Sequence, residues 1–106
     1  MRVLFDQGTP EPLRQALRQH VVETAYERGW STLQNGQLLE AAEDAGFEVL
    51  VTTDLNLRHQ QNLAQFRISV VVLSTTSWPR IQRVVELVAL TVDRAATDRF
   101  GEVPIP

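Results

Sequence analysis

The sequence predicts an α/β protein: a mainly parallel sheet of four to five strands with helices on both faces. Three observations support this. Short apolar runs alternate with segments whose apolar residues recur at helical spacing, the order of a parallel sheet built through right-handed crossovers. The runs "FEVLVTT" and "ISVVVLS" are nearly continuous in apolar residues, as expected of strands covered on both sides. The 106 residues, 43 % hydrophobic and 22 % charged, suffice for one compact domain over residues 1–106 and are too few for two.

Taken in order, "RVLF" (Arg2 to Phe5) reads as a short buried strand, and "DQGTPEP" is dense in turn formers. Thr9 is placed to cap a helix over Pro10 to Gln19, with Pro10 at its first position and Leu13, Ala16, Leu17 and His20 along one face. "VVETA" (Val21 to Ala25) is the second strand. A loop punctuated by Gly29 and Gly36 leads to a helix with Leu38, Leu39, Ala42 and Ala45 on one side, closed by Gly46. Phe47 to Thr53 forms the third strand. Leu57, Gln60, Gln61 and Ala64 permit a thin third helix. Ile68 to Ser74 is the fourth and most hydrophobic strand. A long helix from Pro79 to about Ala96 carries a stripe of Ile81, Val84, Val85, Val88 and Val92, widened by Leu87, Leu90 and Thr91. "FGEVPIP" suits a short edge strand or an ordered arm, since Pro104 and Pro106 bar it from the centre of a sheet.

Composition narrows the function classes. No apolar run approaches the roughly 20 residues needed to span a bilayer. There is no cysteine, so thiolate zinc sites and disulfides are excluded, and a cytoplasmic location is expected in the absence of a signal-peptide pattern. A net charge of −3 argues against broad duplex binding but leaves room for a small acidic metal pocket. All ten basic residues are arginine. Any mechanism that needs a lysine is therefore closed, whereas arginine suits bidentate contacts to phosphate.

Ligands of parallel sheets sit beyond the carboxyl ends of the strands, where the strand order reverses. Asp6 ends the first strand and Asp54 the third. If the first strand lies between the second and third, the two carboxylates meet at that point and can share a hard cation. Each also has a local role open to it: Asp6 as a turn residue before Gly8 and Thr9, Asp54 as the cap of a helix beginning near Leu55. Asn35 is a good N-cap and also a neutral oxygen donor, and Asn56 is a further neutral ligand candidate. Glu40 is expected to face solvent. Thr52 and Thr53 point to opposite sides of the strand, and Thr53 is assigned to substrate. Arg58 and Arg80 follow the tips of the third and fourth strands, where they can touch phosphate or simply be solvated. His20 and His59 lack metal-ligand spacing and are expected on the surface. Tyr26, Trp30 and Trp78 lie by the loops of the same edge, to stack on a base or to pack beneath a loop. No Gly-rich phosphate loop and no nucleophile elbow are present.

The stretches "VLFDQGTPEPLRQAL" and "ERGWSTLQNGQLLEAAEDAGFEVLVTTDLNL" resemble the small PIN-like proteins of a bacterial domain-of-unknown-function group, related to the toxin ribonucleases of toxin–antitoxin modules. The resemblance spans Arg2 to Pro79. It implies a three-layer PIN-like fold whose acidic cluster binds Mg²⁺ or Mn²⁺ and hydrolyses phosphodiesters of single-stranded RNA. By this resemblance Asp6, Asp54 and Asn35 are the catalytic positions, and Asp6, Asp54 and Asn56 the metal ligands. Arg58, Arg80 and Thr53 would hold substrate. Asn35 falls where many relatives carry aspartate, so the cluster is incomplete. A cognate antitoxin-like protein is an expected partner, and the wide apolar face of helix 79–96 is expected to form a homodimer. Two alternatives stand beside this. A non-catalytic PIN-like module would bind protein or nucleic acid. A phospho-accepting receiver domain would need a lysine the chain lacks and paired acids where Asp6 is followed by Gln7.

Overall fold

A computed structural model describes residues 1–106, apart from the side chain of Asn35. Five strands, β1 (Arg2–Phe5), β2 (Val21–Thr24), β3 (Val49–Thr52), β4 (Ser69–Leu73) and β5 (Phe100–Val103), form one sheet in the order β2-β1-β3-β4-β5. Every pairing is parallel. Four α-helices, α1 (Asn35–Asp44), α2 (Leu57–Gln60), α3 (Trp78–Gln82) and α4 (Val85–Asp98), and two 3-10 helices, Glu11–Leu17 and Leu63–Gln65, connect them. The first strand does lie between the second and the third, and the tail does supply a parallel edge strand, followed by Pro104 and Pro106.

Strand side chains alternate between faces, and the burial follows that period. Val3, Phe5, Val49, Val51, Val71 and Leu73 pack with Leu13, Leu17, Ile81, Val88 and Val92, so the first 3-10 helix, α3 and α4 cover one face. Leu4, Leu50, Val70 and Val72 pack with Leu38, Leu39, Ala42 and Leu57, so α1 and α2 cover the other. Every residue of β3 and β4 is buried, which is why these strands read as unbroken apolar runs. Each fully buried Val, Leu or Phe contributes about 1.5–3 kcal/mol of transfer free energy. The result is a three-layer α/β fold with a five-stranded parallel sheet. No helix among the described residues is long and apolar enough to cross a membrane.

Several elements depart from expectation. The segment after Pro10 is a 3-10 helix, Glu11–Leu17, with Pro10 itself in the cap position. Pro10 and Pro12 remove two donors from its start, and i→i+3 bonds such as Leu13 N–H to Pro10 C=O (3.1 Å) close it. Thr9 caps nothing and turns back toward β1 and β3. The third helix is two short pieces, separated by Gln61 in extended conformation. The helix expected over residues 79–96 is broken between α3 and α4. Val84 leaves helical geometry (φ −129°, ψ 28°), consistent with its branched Cβ beside Val85, and its N–H bonds back to Ile81 (2.9 Å). Helix α1 starts at Asn35, with Gln34 rather than Asn35 in the cap position.

The crossovers are not uniformly right-handed. The β2–β3, β3–β4 and β4–β5 connections all advance in the same direction across the sheet. The first two run over the α1 and α2 face, whereas α3 and α4 run over the opposite face. The β4–β5 connection therefore has the opposite hand to its predecessors, a rare arrangement. Burial supplies the reason. The face holding Phe5, Val51 and Val71 has only a seven-residue 3-10 helix of its own, and α4 covers it with Val88, Val92 and Ala95.

Candidate functional site

The alternation that sorts the core also aims the strand tips. Asp6 has the parity of Leu4, and Thr52 and Asp54 that of Leu50, so all three face the α1 and α2 layer. Beyond this point the connection from β1 passes over one face and that from β3 over the other. This opens a crevice between the two strand ends. A cleft of about 390 Å³ lies here, lined by Asp6, Gln7, Thr52, Asp54 and Gln60, with Leu38, Leu50 and Leu57 as its apolar floor.

The carboxylates are tied in by short polar contacts. Asp6 Oδ1 accepts the Thr9 N–H (3.0 Å) and the Thr9 hydroxyl (2.6 Å), and Oδ2 accepts the Thr52 hydroxyl (2.5 Å). The Thr9 hydroxyl also lies 3.0 Å from the Val51 carbonyl, but its single proton serves the nearer carboxylate. Thr52 Oγ1 in turn accepts the Asp54 N–H at 3.0 Å. One buried hydroxyl thus links the side chain of Asp6 to the backbone of Asp54. Asp54 Oδ1 accepts the Asn56 N–H (2.9 Å) in an Asx turn. The turn role foreseen for Asp6 is therefore present, whereas Asp54 does not cap a helix: α2 begins only at Leu57 with Asn56 in the cap position, and Asp54 closes the turn before it. Each carboxylate also lines the cleft.

The other predicted residues are placed differently. Thr53 has the opposite parity and packs on the strand-tip glycine: a Cβ on Gly8 would sit 2.4 Å from Thr53 Oγ1. Thr52, not Thr53, faces the cleft. Arg58 pairs with Glu102 of β5 (3.2 Å) and stacks over Phe100, 5.4 Å from the ring centre. Arg80 donates to the carbonyls of Ile105 (3.0 Å) and Pro106 (2.8 Å). Both arginines therefore bind the C-terminal segment rather than lining the cleft. Asn56 is exposed, and Glu40 faces solvent as expected. The assignment of Asn35 rests on a side chain outside the described residues. His59 is exposed, but the His20 side chain is mostly covered and its Nε2 lies 2.6 Å from Asp93 Oδ1. Trp30 and Trp78 pack against the two core layers, while Tyr26 stays exposed. Gln7, Ser31, Gln34 and Gln60 join the lining without having been singled out; only the adjacency of Gln7 to Asp6 signalled any of them.

A second cleft, of about 650 Å³, meets the first at Asp6 and Gln7 and continues past Gly8, Pro10, Tyr26, Glu27 and Thr76. Glu27 bonds the guanidinium of Arg14, which holds its carboxyl below the usual range, helped by the Thr24 backbone N–H. The same contact raises Arg14 above its ordinary value.

Among the described residues no group of three or more acidic or histidine side chains is arranged to hold a metal. Two carboxylates remain. Asp6 Oδ2 keeps one lone pair after its bond to Thr52, and Asp54 lines the same cleft. That donor set fits one hard cation completed by water and phosphate oxygens, and not a pair of cations. Compared with family models, curated proteins and solved structures, the chain matches none of them.

Proposed function

We propose that this is a PIN-like metal-dependent ribonuclease, related to those of toxin–antitoxin modules, with a reduced acidic site that cleaves single-stranded RNA. The observation that carries the reading is the convergence of Asp6 and Asp54 on one cleft at the point where the connections diverge. Asp6 and Asp54 would hold one Mg²⁺ or Mn²⁺ ion. When bound, such an ion supplies charge neutralisation at the phosphodiester and an acidified water. The residues of the chain do the positioning. Thr9 and Thr52 fix both oxygens of Asp6, and the Asx turn fixes Asp54, so neither carboxylate must be ordered when substrate arrives. With only two carboxylates, the free protein holds the ion weakly, and substrate phosphate tightens it by completing its shell.

The test is cleavage of single-stranded RNA with Mn²⁺ and with chelator. Asp54→Asn is expected to lower the rate by about a hundredfold or more while the fold persists. Equal cleavage by wild type and the double variant Asp6→Asn, Asp54→Asn would overturn the assignment. Mn²⁺ should also raise the melting temperature of wild type and not of Asp54→Asn, by linkage.

A second reading is a non-catalytic PIN-like module that binds RNA or a protein such as an antitoxin. Leu87 and Leu90, 44 % and 45 % exposed on α4, favour it, with a second copy of the chain as the simplest occupant. It predicts a species larger than one chain on gel filtration, no cleavage, and no Mn²⁺-dependent stabilisation.

A further inference from the structure

We propose that the larger cleft beside Asp6, walled by Tyr26, receives one nucleobase of the RNA strand. This rests on the ribonuclease reading above. Four observations converge on it. The cleft adjoins the Asp6–Asp54 cleft, because Asp6 and Gln7 line both. A strand with a phosphate at the carboxylates therefore has an adjoining cavity on the other side of the same strand tip. Its volume of about 650 Å³ lies within the range of small-molecule pockets, about 300–1,000 Å³.

Tyr26 is 76 % exposed, although the turn that carries it is firmly bonded. The Ala25 N–H reaches the Phe5 carbonyl (2.8 Å), and the Tyr26 carbonyl accepts the Gly29 N–H (3.0 Å). Gly29 closes the turn at φ 75°, in the left-handed region. A large aromatic ring is thus presented to solvent from a fixed backbone, so that only its two side-chain torsions need ordering on binding. Aromatic stacking accepts any base, since every base has a π-face.

Charge selects what enters. Glu11 and Glu27 line this cleft, and Arg14 is already paired with both. Anionic phosphate is therefore disfavoured here and an uncharged ring is not.

Adenosine is a suitable probe because it lacks phosphate and binds independently of any metal. Saturation-transfer NMR on the full chain should show adenosine binding to wild type and to Tyr26→Phe. Tyr26→Ala should lose about tenfold in affinity, the lower part of the range for one stacked base. In RNA cleavage, Tyr26→Ala should raise KM by a similar factor with kcat little changed. The exposure of Tyr26 makes unfolding an implausible cause, and an unchanged melting curve checks that directly. Adenosine binding that is absent in wild type, or equal in wild type and Tyr26→Ala, overturns the subsite. If adenosine binds through Tyr26 but no RNA is cleaved with Mn²⁺, the subsite stands and the nuclease reading falls. If cleavage depends on Asp54 but neither adenosine binding nor KM depends on Tyr26, the reverse holds.

Discussion

Thr52 is 2 % exposed, and its hydroxyl both donates to Asp6 and accepts from the Asp54 backbone. Valine has nearly the same shape and neither capability. Thr52→Val should therefore cost about 1–3 kcal/mol, since it leaves a carboxylate oxygen and an N–H short of their partners. Thr52→Ser should recover most of the loss. Urea titration of the three proteins measures both effects; equal midpoints for Val and Thr would mean that the hydroxyl link is dispensable. At this scale the sequence was informative only where geometry is local. Asp6 and Asp54 were legible because a strand end and its parity are readable from a few neighbours. Arg58 and Arg80 were not. Their partners, Glu102 and the carbonyls of Ile105 and Pro106, lie more than twenty positions away in a tail whose docking no local pattern announces.

Helix ends show the same division. Gly46 was legible as the stop of α1: it follows the last apolar residue of the periodic face and adopts φ 87°. The contact it makes was not legible. A Cβ at Gly46 would sit 2.9 Å from the Arg2 guanidinium, which donates to the Ala45 carbonyl (2.5 Å) and lies over the Phe47 ring. Gly46→Ala should therefore lose about 1–2 kcal/mol from the left-handed backbone alone, with the displaced Arg2 adding to it. A urea midpoint within error of wild type would show that this end of α1 relaxes freely. The break between α3 and α4 could not be read from the stripe Ile81–Val92, because that stripe fits one helix equally well. Nor could the stripe tell which face of the sheet these helices cover, because that depends on the chain's path as a whole. The reversed hand of the β4–β5 connection was hidden for the same reason.

On the scale of the whole molecule, the sheet is the shared wall of two apolar layers. Leu4 and Phe5, or Leu50 and Val51, are chain neighbours buried on opposite sides. A strand cannot leave one layer without leaving the other, so the layers should melt together despite having separate helices. The chain's two tryptophans allow a direct check, since each reports on one layer. Trp30 meets Phe47 edge-on at 6.2 Å on the α1 side, and Trp78 packs against the layer of Ile81 and Val88. Trp30→Phe leaves only the Trp78 signal, and Trp78→Phe only that of Trp30. In each variant the urea midpoint of the remaining tryptophan's fluorescence should coincide with that of the far-UV circular dichroism. The variants will differ in stability, so the comparison is made within each one and not between them. A fluorescence midpoint clearly below the dichroism midpoint in Trp30→Phe would mean that the layer under α3 and α4 loosens first. The odd-handed β4–β5 crossover would then be a separately unfolding flap on a more durable β1–β3 centre, and the carboxylate cleft, which lies on the α1 side, would outlast it.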